Sequence, residues 1–322
     1  MPENIALKQH ETHQLQHETD QEAGFLVGSV HDSVLTLHQS RKKLADTLVM
    51  VRSMLGLVAR IQRHRGATMA LLGGDDRFAE RLPRLQKEIA LRIDLLMLEP
   101  NDEVEQGDKD NILSAWKTIA HNWQDDAVLE NFEYHSHLIE YLLRMVRLRG
   151  DLYIEHLNQL APMIEQQQTQ RNLTVLNFIA CRSVPDCLEM LAKLRGLATH
   201  AAASHQCDSF TQGRIEFLLK ELNRLTNDFD NKVQELTPDI QQQLIPGNSL
   251  AQAKVKRDYL TSLLSNDIVA GQTITLDSEM VYRVTTEVID TYYELSYSIL
   301  TFLQTSLPVM IGECLGKLAR DC

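Results

Sequence analysis

Two arginines in this chain occupy positions where helical periodicity calls for apolar side chains. One stripe runs Val58, Ile61, Arg65, Met69, Leu72 and the other Leu188, Leu191, Arg195, Ala198, Ala202, each in steps of three and four. A buried guanidinium is costly unless it is paired. An intrahelical carboxylate would stand three or four residues away. Around Arg65 those places hold Ile61, Gln62, Thr68 and Met69, and around Arg195 they hold Leu191, Ala192, Ala198 and Thr199. Each arginine therefore requires a partner on another helix, or a ligand. Its planar fork suits an oxyanion held by two hydrogen bonds. Gly66 and Gly196 come next in the chain and let a helix or ligand approach the backbone. Thr68 and Thr199 could add hydroxyl donors from nearby turns. Two such arginines related by a pseudo-two-fold would face one small anion from both sides. The plainer alternative pairs each with a glutamate on a facing helix, or lets it snorkel from the stripe's edge. Arg60 and Arg63 lie off the stripe and are expected to face solvent.

The elements that must position these residues read as helices throughout. The first apolar stripe, from about Ser29, carries Val51, Met54, Leu55, Val58, Ile61, Met69 and Leu72, and Gly73-Gly74-Asp75-Asp76 stops it. Further helices are predicted over about 77–98, 110–123 and 130–158, with short loops between them, as in an up-and-down bundle. A connecting helix is predicted from Gln168 to about Cys181. Ser183-Val184-Pro185-Asp186 then has the form of a helix start, with Ser as N-cap and Pro in the first turn. Helices at about 185–204, 210–230 and 249–267 precede a last one running from about Thr275–Glu279 toward Leu307. No stretch alternates as a strand does.

The two arginine segments also resemble each other. Ile61–Phe78 lies beside Leu191–Phe210 with Arg65-Gly66 on Arg195-Gly196, an offset of 130. At the same offset Met54, Leu57, Val58 and Ile61 meet Val184, Cys187, Leu188 and Leu191; separately, the late segment Phe132–Leu143 echoes Tyr282–Tyr293. The expected fold is all-α: two up-and-down four-helix bundles from an internal pseudo-repeat, packed side by side. The expected divisions are a polar, disordered or loosely helical tail over 1–28, a first bundle over 29–160, a connecting helix over 161–182 and a second bundle over 183–322. His10, His13 and His17 of the tail read as a solvated His-rich stretch more readily than as a loose metal site.

A net charge of −12 excludes a general nucleic-acid surface, so any bound anion must be captured by a local arrangement of arginines. The cysteines Cys181, Cys187, Cys207, Cys314 and Cys322 form no metal-binding spacing, and without an apolar leader they suit a reducing cytoplasm. The apolar stretch Leu295–Leu318 is interrupted by Gln304, Pro308, Glu313 and Lys317, which favours a buried helix over a membrane span. There is no Gly-rich phosphate loop, nucleophile elbow, zinc motif or di-iron Glu-x-x-His pair, so neither catalysis nor a cofactor is expected.

At the arginine segments the sequence resembles the nitrate- and nitrite-sensing (NIT) domain family. The resemblance rests on Ile61-Gln62-Arg63-His64-Arg65-Gly66-Ala67-Thr68 and on Lys193-Leu194-Arg195-Gly196-Leu197-Ala198-Thr199. Between them come Trp116, Trp123, Phe132 and Leu138-Ile139-Glu140-Tyr141-Leu142-Leu143. It spans about residues 45 to 305. The resemblance implies two four-helix bundles with nitrate or nitrite bound between helices, Arg65 and Arg195 as ligands, and Arg257 and Arg283 as weaker candidates chosen by position. Ala67 stands where the family usually has serine or glycine, and His64 where it often has an acid. The family's domain is normally fused to an output module, for which the residues after Leu307 are too few. The expectation is a stand-alone sensor signalling to a separate protein, with homodimerisation left open. An all-helical interaction or adaptor module, with purely structural arginines and no ligand, is the alternative.

Overall fold

Every regular element in a computed structural model of the chain is a helix, across the described residues 3–98, 105–121, 123–160, 164, 167–244, 247–271 and 273–321. Side chains are described from residue 34 onward, apart from 247–250, 318, 319 and 321, so the His10, His13 and His17 face lies outside the described residues. The order is α1 (Glu3–Leu72), a 3-10 turn (Asp76–Arg81), α2 (Leu82–Leu98), α3 (Gln106–His121), α4 (Val128–Leu160), α5 (Gln167–Phe178), α6 (Val184–Ser204), α7 (Ser209–Gln234), α8 (Pro238–Leu244), α9 (Gly247–Leu264) and α10 (Ser278–Asp321). The helix α1 is thus continuous from Glu3, through the described part of the expected tail, to the glycine pair that ends it. Gly74 adopts a left-handed φ of 100°, and Asp75 then caps the 3-10 turn by accepting the Arg77 N–H. The short helix α8 has no counterpart in the sequence expectation.

Two prolines behave differently from the sequence reading. Ser183 is not an N-cap: it lies in the helical region with no capping bond, and α5 runs into α6 through a π turn over Ile179–Ser183. The π turn lets the Val184 N–H reach the Ile179 carbonyl just before Pro185, which has no N–H of its own to give. Pro308 likewise sits inside α10 rather than ending it. Pro308 and Gln304, whose carbonyl loses its helical donor there, are both exposed.

The core is organised around α1, α4, α6 and α10. The helix α1 packs against α2, α4, α6 and α10, and α6 against α1, α7 and α10. Contacts of Gly66 with Arg195 and of Gly73 with Ala203 set α1 and α6 parallel. Pairings of Arg63 with Asp290 and Arg52 with Thr301 make α10 antiparallel to α1. Leu55, Val58, Ile61, Leu188, Leu191, Val288 and Ile289 are among the residues that fill this centre with almost no exposure. A buried apolar stripe of this extent supplies the main drive for assembly. One described helix, α10 over Ser278–Lys317, is by length and composition apolar enough to cross a membrane, and its inward face is part of this core.

Candidate functional site

The two arginines do lie on the buried faces of parallel helices, and both have no exposure at all. Each is flanked by a long helix that follows it in the chain, α4 for Arg65 and α10 for Arg195. Arg65 stacks over the Phe132 ring of α4 at 5.1 Å and donates from Nη1 to the Ser136 hydroxyl at 2.8 Å. Arg195 stacks over the Tyr282 ring of α10 at 4.9 Å and donates from Nη1 to the Thr286 hydroxyl at 2.9 Å. The Ser136 hydroxyl itself donates to the Phe132 carbonyl, and the Thr286 hydroxyl to the Tyr282 carbonyl. In both places an aromatic face and a hydroxyl one turn apart hold a guanidinium by cation–π attraction and one hydrogen bond.

The two places then part company. Arg65 reaches across to α6 and forms a fork with Glu189, Nη1 to Oε1 at 2.7 Å and Nη2 to Oε2 at 3.2 Å. Glu189 is 2% exposed and also accepts from the Gln62 amide at 2.8 Å. Tyr293 completes the network by donating to the Gln62 carbonyl oxygen at 2.9 Å. The buried acid is thereby supplied with a cation and a neutral donor, as a charge at this depth requires. Arg195 has no such partner: its Nε and Nη2 make no hydrogen bond among the described residues. Burial, the largest cause, pulls its pKa below the ordinary arginine value; Arg63 and Arg65 push the same way, against Tyr282 and Asp290. One turn further along α6, the buried Thr199 hydroxyl also lacks a partner.

The glycines explain how close these groups come. A Cβ at Gly66 would stand 2.9 Å from Tyr282 Cε2 and 3.0 Å from Arg195 Nε, so α10 and the second arginine pack directly on the α1 backbone. At Gly196 the nearest atoms, on Phe132 and Met69, are 3.5 and 3.6 Å away, which is ordinary contact. Thr68 is not aimed at a ligand. Its hydroxyl donates to Asn131 Oδ1 at 2.9 Å and to carbonyls of its own helix, tying α1 to α4.

Beside Arg65 lies a buried histidine pair. His64 Nδ1 and His135 Nε2 are 2.8 Å apart, and His135 Nδ1 is 2.7 Å from the Asn131 carbonyl oxygen. Since that carbonyl can only accept, His135 donates to it from Nδ1 and accepts from His64 at Nε2. The His64 Nε2 lone pair is left without a partner among the described residues, with the edges of Trp116 and Trp123 around the ring. Burial, then the neighbouring charge of Arg65, pushes His135 down to about 3, against the bond to Asn131. Burial likewise holds His64 well below the usual histidine range.

The remaining sequence candidates fall elsewhere. Arg257 of α9 pairs with the adjacent Asp258 at 2.9 Å, and Arg283 of α10 is exposed. Neither is brought to the buried pair as a further guanidinium. Arg60 and Arg63 do not simply face solvent: both are half-buried, Arg60 against Glu88 and Arg63 against Asp290, because α2 and α10 pack over that side of α1. Sequence reasoning overlooked Glu189, Gln62, Ser136, Thr286 and Tyr282. Glu189 and Gln62 carried a readable signal, each being a polar residue on the same inward face as the arginines. Ser136 and Thr286 stand at matching places in the two late segments that already echo each other. Among the described residues no group of three or more His, Cys, Asp or Glu side chains is placed to hold a metal ion. No family model matches this sequence, and no curated protein or solved structure compared with it gives a match.

Proposed function

We propose that this protein is a non-enzymatic cytoplasmic sensor of a small oxyanion, nitrate or nitrite, held against Arg195. One observation carries the reading: a guanidinium with no exposure keeps Nε and Nη2 unpaired at the place where its counterpart meets Glu189. At the offset that lays Arg65 on Arg195, Glu189 falls on Ala59 and Gln62 on Ala192. Two alanines therefore stand where an acid and its supporting amide would be. A planar anion replaces the missing carboxylate, accepting from Arg195 Nε and Nη2 and, one turn on, from Thr199. Arg65 acts as a positioning residue, since its own fork is filled by Glu189.

The same correspondence supports a finer architecture. One four-helix bundle comprises α1 to α4 and the other α6, α7, α9 and α10, related by a pseudo-two-fold along the parallel α1 and α6. Phe132 with Ser136 and Tyr282 with Thr286 are its matched pairs. An anion that neutralises the second guanidinium favours one packing of the bundles over another, and a separate signalling protein reads the difference. A second reading, an adaptor whose arginines are structural, is favoured at one place only, by the fork between Arg65 and Glu189.

Thermal unfolding in nitrate, nitrite, chloride and sulfate tests the proposal. A ligand that binds only the folded state at a hundredfold excess over Kd adds about 2.7 kcal/mol of stability. The expected result is a rise in Tm with nitrate or nitrite that Arg195→Ala abolishes. An equal response to chloride, or a nitrate response that survives Arg195→Ala, sinks the sensor reading in favour of the adaptor.

A further inference from the structure

Where α1, α2 and α10 meet, the surface opens into a groove of about 430 Å³. Its charged lining is mostly arginine: Arg52, Arg60 and Arg63 from α1 and Arg92 from α2, with Asp290 and the exposed Glu294 from α10. In a chain of net charge −12 the groove holds a local excess of arginine over acid. Two of the four are neutralised, Arg63 by Asp290 and Arg60 by Glu88, each at 2.7 Å. The other two are not. Arg52 donates to the Tyr297 carbonyl and the Thr301 hydroxyl, which carry no charge. Arg92, half-buried, makes no hydrogen bond or ion pair among the described residues. It is nevertheless held in place: its Nη1 lies over Gly56, 2.7 Å from where a Cβ would stand, with the Tyr297 hydroxyl on the same spot.

The spacing of these groups says what kind of anion they fit. Arg52 and Gly56, over which the Arg92 guanidinium lies, are four residues apart on one helix, about 6 Å along its axis at 1.5 Å per residue. That is longer than one small oxyanion and suits a ligand with several anionic groups in a row. The groove wall is formed by the stacked rings of Tyr293 and Tyr297, 6.0 Å apart, with Arg52 over Tyr297 at 5.4 Å. We propose that this groove binds a small molecule bearing a chain of phosphates, with Arg52 and Arg92 as its principal ligands. Bidentate guanidinium contacts to successive phosphates, beside an aromatic wall, are the chemistry that recognises it. Its principal ligands, Arg52 and Arg92, are distinct from the buried Arg195.

Calorimetric titration of the full chain with tripolyphosphate and with ATP, in low-salt buffer, tests this. Binding at one site per chain is expected, and Arg52→Ala with Arg92→Ala weakens it at least about tenfold, the loss of one or more charge-assisted hydrogen bonds. Arg195→Ala leaves it unchanged. Because the double variant could unfold the α1–α10 contact, Gly56→Ala serves as the second test. Its methyl displaces only the flexible end of Arg92 and should weaken binding while circular dichroism stays the same. Tighter binding of ATP identifies a nucleotide as the ligand, through its base on the tyrosine wall; tighter binding of tripolyphosphate identifies the phosphate chain alone. No binding of either at millimolar concentration, or binding that both variants leave intact, overturns the proposal.

Discussion

The surroundings of Arg65 and of Arg195 share an aromatic face, a hydroxyl one turn later and a glycine next in the chain, yet only at the first does an acid pair with the guanidinium. At Arg65 the buried charge is answered by Glu189, and the acid in turn by Gln62 and Tyr293. At Arg195 the corresponding positions hold Ala59 and Ala192, and the charge is unanswered among the described residues. Two guanidinium groups with the same burial thus play opposite parts. One is a closed structural joint between α1 and α6, and the other keeps two N–H donors without a partner among the described residues. The lesson is that burial of a charge says little until the groups facing it from every neighbouring helix are known.

The comparison breaks most easily at its acid. Glu189→Ala leaves Arg65 buried and unpaired and should remove about 3–5 kcal/mol of stability in chemical denaturation. Arg195→Met, which replaces an already unpaired charge by an apolar chain of similar length, should leave stability unchanged or raise it by about 1–4 kcal/mol in anion-free buffer. If both variants lose stability equally, the two places are not different in kind.

Ala59→Glu sharpens the contrast by supplying the missing acid opposite Arg195. The expected outcome is a higher Tm without nitrate and no further rise with it, a loss of about 2.7 kcal/mol of ligand stabilisation at a hundredfold excess over Kd. A nitrate response undiminished in Ala59→Glu would separate the anion from Arg195.

A third difference is the histidine pair, which belongs to the Arg65 side. His135 is pushed down to about 3 and His64 well below its usual range, so both are neutral in the fold and take up protons on unfolding. Their contribution is therefore fully present above the unfolded value of about 6.5 and is lost as pH falls below it, for His135 down toward 3. His135 should cost about 1.4 kcal/mol per pH unit over that window, with His64 acting in the same direction. Denaturation between pH 7 and 5 should show the decline, and His135→Gln should flatten it.

The smallest expected effect separates the two glycines. Gly66→Ala forces its methyl against Tyr282 and Arg195 and should cost roughly 1 kcal/mol, whereas Gly196→Ala meets ordinary contacts and should be nearly neutral. Urea midpoints of the two variants would show whether the close approach belongs to the Arg195 side alone.

The sequence by itself determined much of this protein. Apolar periodicity determined that the described chain is helical, because a stripe in steps of three and four can be buried only by a helix. The glycine pair Gly73-Gly74 determined where α1 ends, and the stripes determined that Arg65 and Arg195 face inward. Only the tertiary structure decided the rest. The π turn before Pro185 and the passage of α10 through Pro308 depend on where carbonyls can be met by other donors or by water, which no local propensity encodes. Whether either arginine had a partner was decided by Glu189, distant from Arg65 in sequence and brought to it by the parallel packing of α1 and α6. A helix face is written in its own residues, but what a buried charge meets is written in its neighbours.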